Sequence, residues 1–250
     1  MNTADPILET RDLTKVFGGL VAVDGVNFTV ARGELRCIVG TNGAGKTTLF
    51  NLVTGALVPT SGEILWRGQN ISRMYPHQIC RMGIGRKFQV PNVFQDLSVA
   101  DNIRVAASGK VGLLTLMRQS VDREFEEGLP ALLKRIQLFE KRNGKASSLS
   151  HGEQQWLEIG MVLSSRPRLL LLDEPTAGMT MAETQDTVRL IKDISADVTT
   201  VVIAHDIGFV RALGGRVTVM YRGRILVEGS LEEIERDETV RDVYLGREAV

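Results

Sequence analysis

The run Gly40-Thr41-Asn42-Gly43-Ala44-Gly45-Lys46-Thr47 constrains this chain more than any other stretch. It spells G-x-x-x-x-G-K-S/T, a pattern with a mechanism behind it. The glycines let the backbone curl so that successive N–H groups face inward, and the following helix adds its positive dipole end. Such a loop needs a strand before it and a helix after it. Glu34–Val39 reads as a short apolar strand, and Thr47–Leu57 reads as a helix. The concavity binds phosphate oxygens. Lys46 would place a point charge against a β- and γ-phosphate, and Thr47 would give its hydroxyl oxygen to Mg²⁺. Thr48, in the first helical turn, is counted with the cradle.

A second feature answers the first. Leu169–Leu172 is an apolar strand that ends in Asp173, Glu174 and Pro175. Carboxylates at the end of a buried strand are costly unless they are paired or near a metal. A Mg²⁺ held by Thr47 and a nucleotide offers that compensation. Asp173 is expected to hold the ion, directly or through water. Glu174, one residue further into the cleft, is placed to orient and deprotonate an attacking water.

The rest of the chain fits around these motifs. Ile7–Leu13, Val26–Val30 and Glu63–Arg67 read as strands, as do Val198–Ala204 and the pair Arg216–Met220 and Arg224–Val227. From about Val90 to Leu163 the character changes. Val121–Phe139 carries apolar residues at helical spacing, and Gly128 and Pro130 are expected to break it into two helices. Met181–Ile194 and the tail from Leu231 read as helical. Apolar strands alternating with helices imply a largely parallel sheet covered on both faces, with ligands at the carboxyl ends of the strands. The expected class is α/β, a P-loop NTPase with a mostly parallel core sheet and antiparallel β elements. Residues 1–89 and 164–250 would form the core, and 90–163 an inserted helical subdomain.

Composition narrows the setting. The apolar fraction of 43% supports a core. Thirty basic residues balance thirty acidic ones, which argues against a nucleic-acid partner. No apolar run approaches the roughly 18–20 residues of a membrane span, and MNTADPILET does not read as a signal peptide. A cytoplasmic protein is expected, with any membrane role passing through a partner. Cys37 and Cys80 read as free thiols, Cys37 buried in an apolar run.

The order of phosphate loop, Leu149-Ser150-His151-Gly152-Glu153, acidic strand and His205 resembles the ATP-binding cassette (ABC) transporter ATPases over nearly the whole chain. The resemblance implies ATP and Mg²⁺ as ligands, and two cassettes facing head to tail. Each ATP would lie between one phosphate loop and the partner's signature motif, here Ser150 and Gly152. That motif is usually LSGGQ; His151 and Glu153 depart from it. Ser150 and Glu153 also spell a helix capping box, compatible with phosphate binding at the same helix end. Gln89, in Gly85-Arg86-Lys87-Phe88-Gln89, matches the Q-loop glutamine, implied to touch Mg²⁺ or the water. His205 matches the switch histidine at the γ-phosphate, and Phe17 the aromatic that stacks on adenine. Thr176–Thr180 occupies the D-loop, where many relatives end in Asp.

The finer resemblance is to cassettes of branched-chain amino acid importers, and within them the urea and short-amide branch. Gly83–Phe94, Ser150–Met161, Ala177–Thr180 and Val243–Arg247 carry it. It implies a second cassette as partner (a heterodimer in the cell), membrane permease subunits, and a periplasmic binding protein acting indirectly. The cassette would sit on the cytoplasmic face of a bacterial inner membrane. A branched-chain amino acid importer and a non-transport ABC switch protein stand as alternatives. The latter usually carries two cassettes or a long coiled coil, whereas here there is one phosphate loop and no heptad run.

Overall fold

The computed structural model describes residues 6–87, 93–108 and 119–245. Its strands are β1 (Pro6–Phe17), β2 (Leu20–Ala31), β3 (Leu35–Gly40), β4 (Ser61–Trp66), β5 (Gln69–Asn70), β6 (Ile84–Lys87), β7 (Leu169–Asp173), β8 (Thr199–Ile203), β9 (Arg216–Tyr221) and β10 (Arg224–Gly229). Its helices are α1 (Lys46–Val53), α2 (Pro76–Arg81), α3 (Val99–Ser108), α4 (Gln119–Arg135), α5 (His151–Leu163), α6 (Met181–Ser195), α7 (Ile207–Leu213), α8 (Leu231–Arg236) and α9 (Glu238–Leu245).

Two sheets form. One is antiparallel, in the order β2-β1-β4-β5. The other runs β10-β9-β3-β8-β7-β6, parallel except for the terminal β9–β10 hairpin. β7 is apolar up to its terminal Asp173, and β3 and β8 are largely so, because both faces of the sheet are covered. Leu170 and Leu172 enter one core cluster with Trp156 and Ile191, while Leu169 and Leu171 enter the other with Phe50 and Phe28. The two-residue period of a strand thus feeds two cores from one apolar run.

This strand order builds the site. β8 lies between β3 and β7, with Ile38 opposite Ile203 and Ile203 opposite Asp173. The carboxyl ends of three adjacent strands therefore carry the phosphate loop, His205, and the Asp173–Glu174 pair.

Two local expectations fail. α1 stops at Val53 instead of reaching Leu57. The Thr54 hydroxyl donates to the Phe50 carbonyl at 2.8 Å, and Gly55 follows at φ 71°. A Cβ there would lie 2.6 Å from the Met74 carbonyl oxygen, so the turn demands glycine. The expected break at Gly128 and Pro130 is also absent, and α4 runs through both. Proline removes one helical N–H. Leu129, Leu133 and Ile136 are nonetheless buried along one stripe, and their packing holds the helix across that gap.

Candidate functional site

The phosphate loop spans the gap from β3 to α1 and is fixed by glycines that admit no side chain. A Cβ at Gly40 would lie 2.2 Å from the Met220 carbonyl oxygen, and one at Gly45, at φ 97°, 2.4 Å from that of Ala22. The loop is thus wedged against β9 and β2. Lys46 is buried, and its Nζ donates to the Gly40 carbonyl at 2.8 Å and to Thr41's at 3.0 Å. Burial pulls its pKa down, while the charges of Glu174 and Asp173 pull it back up. A cation is thereby held at the mouth of the loop, facing the two carboxylates.

Asp173 is almost wholly buried, and its Oδ2 accepts from Arg86 Nη2 at 3.1 Å. Burial raises its pKa, and Arg86 opposes the rise. Arg86 in turn donates to Asn51 Oδ1 at 2.6 Å, which ties the acidic strand end to α1. Asp173 Oδ1 is buried without a hydrogen-bond partner. An orphaned carboxylate oxygen is what a hard cation with oxygen ligands would satisfy, and Thr47 stands exposed at the start of α1. These donors fit Mg²⁺.

Glu174 sits at φ 47°, a conformation costly for a residue with a side chain. Its N–H donates to the Ile203 carbonyl at 3.0 Å, which pins it to the end of β8. Its Oε1 lies 2.5 Å from His205 Nε2.

A cleft of about 590 Å³ joins these pieces. Asn42, Gly43, Ala44, Gly45, Lys46, Thr47 and Thr48 line one side, with Glu174, His205 and Phe17 around it. Phe17 is 44% exposed and belongs to no core; Lys15 Nζ lies 5.1 Å from its ring centroid, and the ring offers a planar base a face on the cleft rim. Gly40 and Thr41 act from behind, through the carbonyls that hold Lys46. Gln89 lies outside the described residues. Arg222, also in the cleft wall, was not anticipated; only its place in the β9–β10 turn, against β2, brings it there. A larger cavity of about 1050 Å³, lined by Trp66, Arg81 and Phe125 among others, shares no residue with the phosphate loop.

Ser150 and Gly152 do not line this cleft; they form the start of α5. The capping box is present: Glu153 N–H donates to Ser150 Oγ at 3.2 Å, and Ser150 N–H to Glu153 Oε2 at 3.0 Å. Lys141 Nζ lies 2.5 Å from Glu153 Oε1, so the charge that departs from LSGGQ is both capping and paired. Thr180 caps α6 with Glu183 in the same way. His151 Nε2 is 3.1 Å from the Ala177 carbonyl oxygen and 3.2 Å from the Gln155 amide nitrogen. One ring nitrogen cannot both donate and accept. The Ala177 carbonyl can only accept, so His151 Nε2 carries the hydrogen and donates to it. His151 thereby ties the start of α5 to the Thr176–Thr180 loop.

Known proteins resemble this chain in sequence and fold. Residues 23–177 match the family model described as ABC transporter. The chain is 37% identical to the high-affinity branched-chain amino acid transport ATP-binding protein BraF of Pseudomonas aeruginosa, over 96% of this chain and 98% of that one. It is likewise 37% identical to LivG of Escherichia coli, which bears the same description, over 97% and 99%. The solved ADP conformation of an ATP-binding cassette of an ABC transporter superposes with a TM-score of 0.85 at 29% identity, over 96% and 99%.

Proposed function

This chain belongs to the ABC transporter family as an ATP-hydrolysing cassette, and from that premise we propose that it energises an importer of branched-chain amino acids. Cassettes of this family bind ATP and work as dimers with transmembrane permease subunits. No helix among the described residues is long and apolar enough to cross a membrane. The membrane-spanning path is therefore assigned to those subunits, and the cassette to the cytoplasmic face of the inner membrane.

The chemistry rests on one observation: Lys46, Asp173, Glu174 and His205 converge at the ends of three neighbouring strands. The loop N–H groups and Lys46 hold the β- and γ-phosphates, and the aromatic face of Phe17 takes the adenine. Thr47 and Asp173 would hold Mg²⁺, with Gln89 added from the motif. The ion supplies charge neutralisation on the phosphate oxygens. Glu174 orients a water in line with the γ-phosphorus and accepts its proton. His205 donates its Nε2–H to Glu174 Oε1, which fixes that carboxylate as an acceptor, and it lines the cleft with the phosphate loop. Binding energy is thus spent on position and charge rather than on covalent chemistry, as phosphoryl transfer requires.

Ser150 and Gly152 lie outside the cleft of their own chain, which supports their use by a second cassette. Residues 90–163, between β6 and β7, are assigned as the helical unit that meets the permease, and residues 1–89 and 164–250 as the nucleotide-binding core. A heterodimer with a second kind of cassette, and a periplasmic binding protein upstream, complete the assembly.

For the cargo, the two near-full-length relatives support branched-chain amino acids. Urea or short amides rest on motif segments alone and have no support among those relatives. The test is uptake of labelled leucine and labelled urea in cells carrying Lys46→Ala in place of the normal chain. Leucine uptake is expected to fall to background while urea uptake is unchanged. Loss of urea uptake with leucine uptake intact would overturn the assignment.

A further inference from the structure

The signature helix α5 begins with an anion already in place. Ser150 Oγ donates to Glu183 Oε1 at 2.9 Å. A Cβ on Gly152 would lie 2.6 Å from that same Oε1, so the bare backbone of Gly152 is what admits the carboxylate. Glu183 Oε2 also accepts from the Thr180 N–H at 3.0 Å and the Thr180 hydroxyl at 2.9 Å. One carboxylate therefore serves the starts of two helices, α5 and α6. Hydrogen bonds from Thr180, from Ser150 and from the Gly152 N–H hold its pKa below the usual carboxylate value, so it is charged at neutral pH. The contact joins the Ser150–Gly152 segment to the Thr176–Thr180 loop within one chain, beside the His151 bridge to Ala177.

We propose that Glu183 is an internal plug: its carboxylate occupies the Ser150–Gly152 end of α5 and must be expelled before the terminal phosphate of a partner-held ATP can dock there. This deepens the sandwich reading and rests on it. The donors that hold the carboxylate, the Ser150 hydroxyl and the Gly152 N–H, are the donors assigned to that phosphate. Two anions cannot share them, because like charges within hydrogen-bonding distance of one donor set repel strongly. Displacement releases Ser150 from Glu183 and loosens the tie to the Thr176–Thr180 loop. Nucleotide arrival on one chain would thereby be felt at the other loop facing the dimer interface. The plug sets an ATP threshold for closure.

The substitution that separates a plug from a simple cap is Glu183→Gln. Glutamine at this position of a capping box still accepts from the Thr180 N–H, so α6 keeps its cap while the charge is gone. In a Glu174→Gln background, ATP-dependent dimer formation is followed by light scattering with and without Glu183→Gln, and melting temperature is recorded for both. The plug predicts half-dimerisation at an ATP concentration lower by about fivefold or more with Glu183→Gln, and a melting temperature little changed. If the Glu174→Gln chain dimerises with ATP but Glu183→Gln leaves the threshold unchanged or raises it, the plug is refuted and the sandwich stands. If ATP binds yet neither chain dimerises at saturation, alone or mixed with the second cassette, the sandwich reading falls and the plug falls with it.

Discussion

His205 Nε2 lies 2.5 Å from Glu174 Oε1, across the ends of two adjacent parallel strands, β8 and β7. The contact decides which proton each group carries. An ionised Glu174 can only accept, so the imidazole hydrogen sits on Nε2. Glu174→Gln is expected to keep ATP binding and lower kcat by at least about a hundredfold. Single-turnover hydrolysis alongside a binding isotherm checks both halves. Turnover near that of the unsubstituted chain would remove Glu174 from the role of base.

Lys46 is the buried cation of the loop. Lys46→Ala removes a charge-assisted phosphate contact and should weaken ATP binding by roughly tenfold to a hundredfold. ADP, which lacks the γ-phosphate, should lose less. Titration with a fluorescent nucleotide measures the pair. Equal affinity with and without the lysine would place the phosphates somewhere else.

Arg86 holds Asp173 from the side away from solvent. Arg86→Met removes the hydrogen-bonded partner of that buried carboxylate, which should cost roughly 3 kcal/mol of stability and raise the Mg²⁺ concentration needed for half-maximal activity. Adding Asp173→Asn removes the second charge and should recover most of the stability but none of the activity. Denaturant unfolding of the two variants tests this. An unchanged midpoint for Arg86→Met would show that the pair contributes nothing.

The two cysteines should react unequally. Burial pushes the Cys37 thiol up to about 12, whereas Cys80 is exposed. Only the thiolate attacks a disulfide reagent. At pH 8 the native chain should release one equivalent quickly from Cys80, with Cys37 following only on unfolding. Two fast equivalents in the native state would contradict the packing around β3.

The phosphate loop and the acidic strand end were legible because their chemistry is local. Glycines, lysine and carboxylates must sit at fixed offsets from a strand, and the sequence displays those offsets directly. Arg86 and Asp173 are 87 positions apart, and Ser150 and Glu183 are 33 apart. Neither pair leaves a pattern, because only the strand order brings the members together. The uninterrupted α4 has a similar cause: proline signals a break locally, and packing of Leu129 and Leu133 overrides it. Phe17 was readable as an aromatic, but its exposure on the rim of the cleft is a property of the fold.

A crystal structure of the Glu174→Gln chain grown with ATP and Mg²⁺ would show where the nucleotide sits. Triphosphate density is expected along Gly40–Thr48, with the metal between Thr47 and Asp173 and adenine against Phe17. Nucleotide bound elsewhere, with the Lys46 ammonium still bonded only to the Gly40 and Thr41 carbonyls, would contradict it.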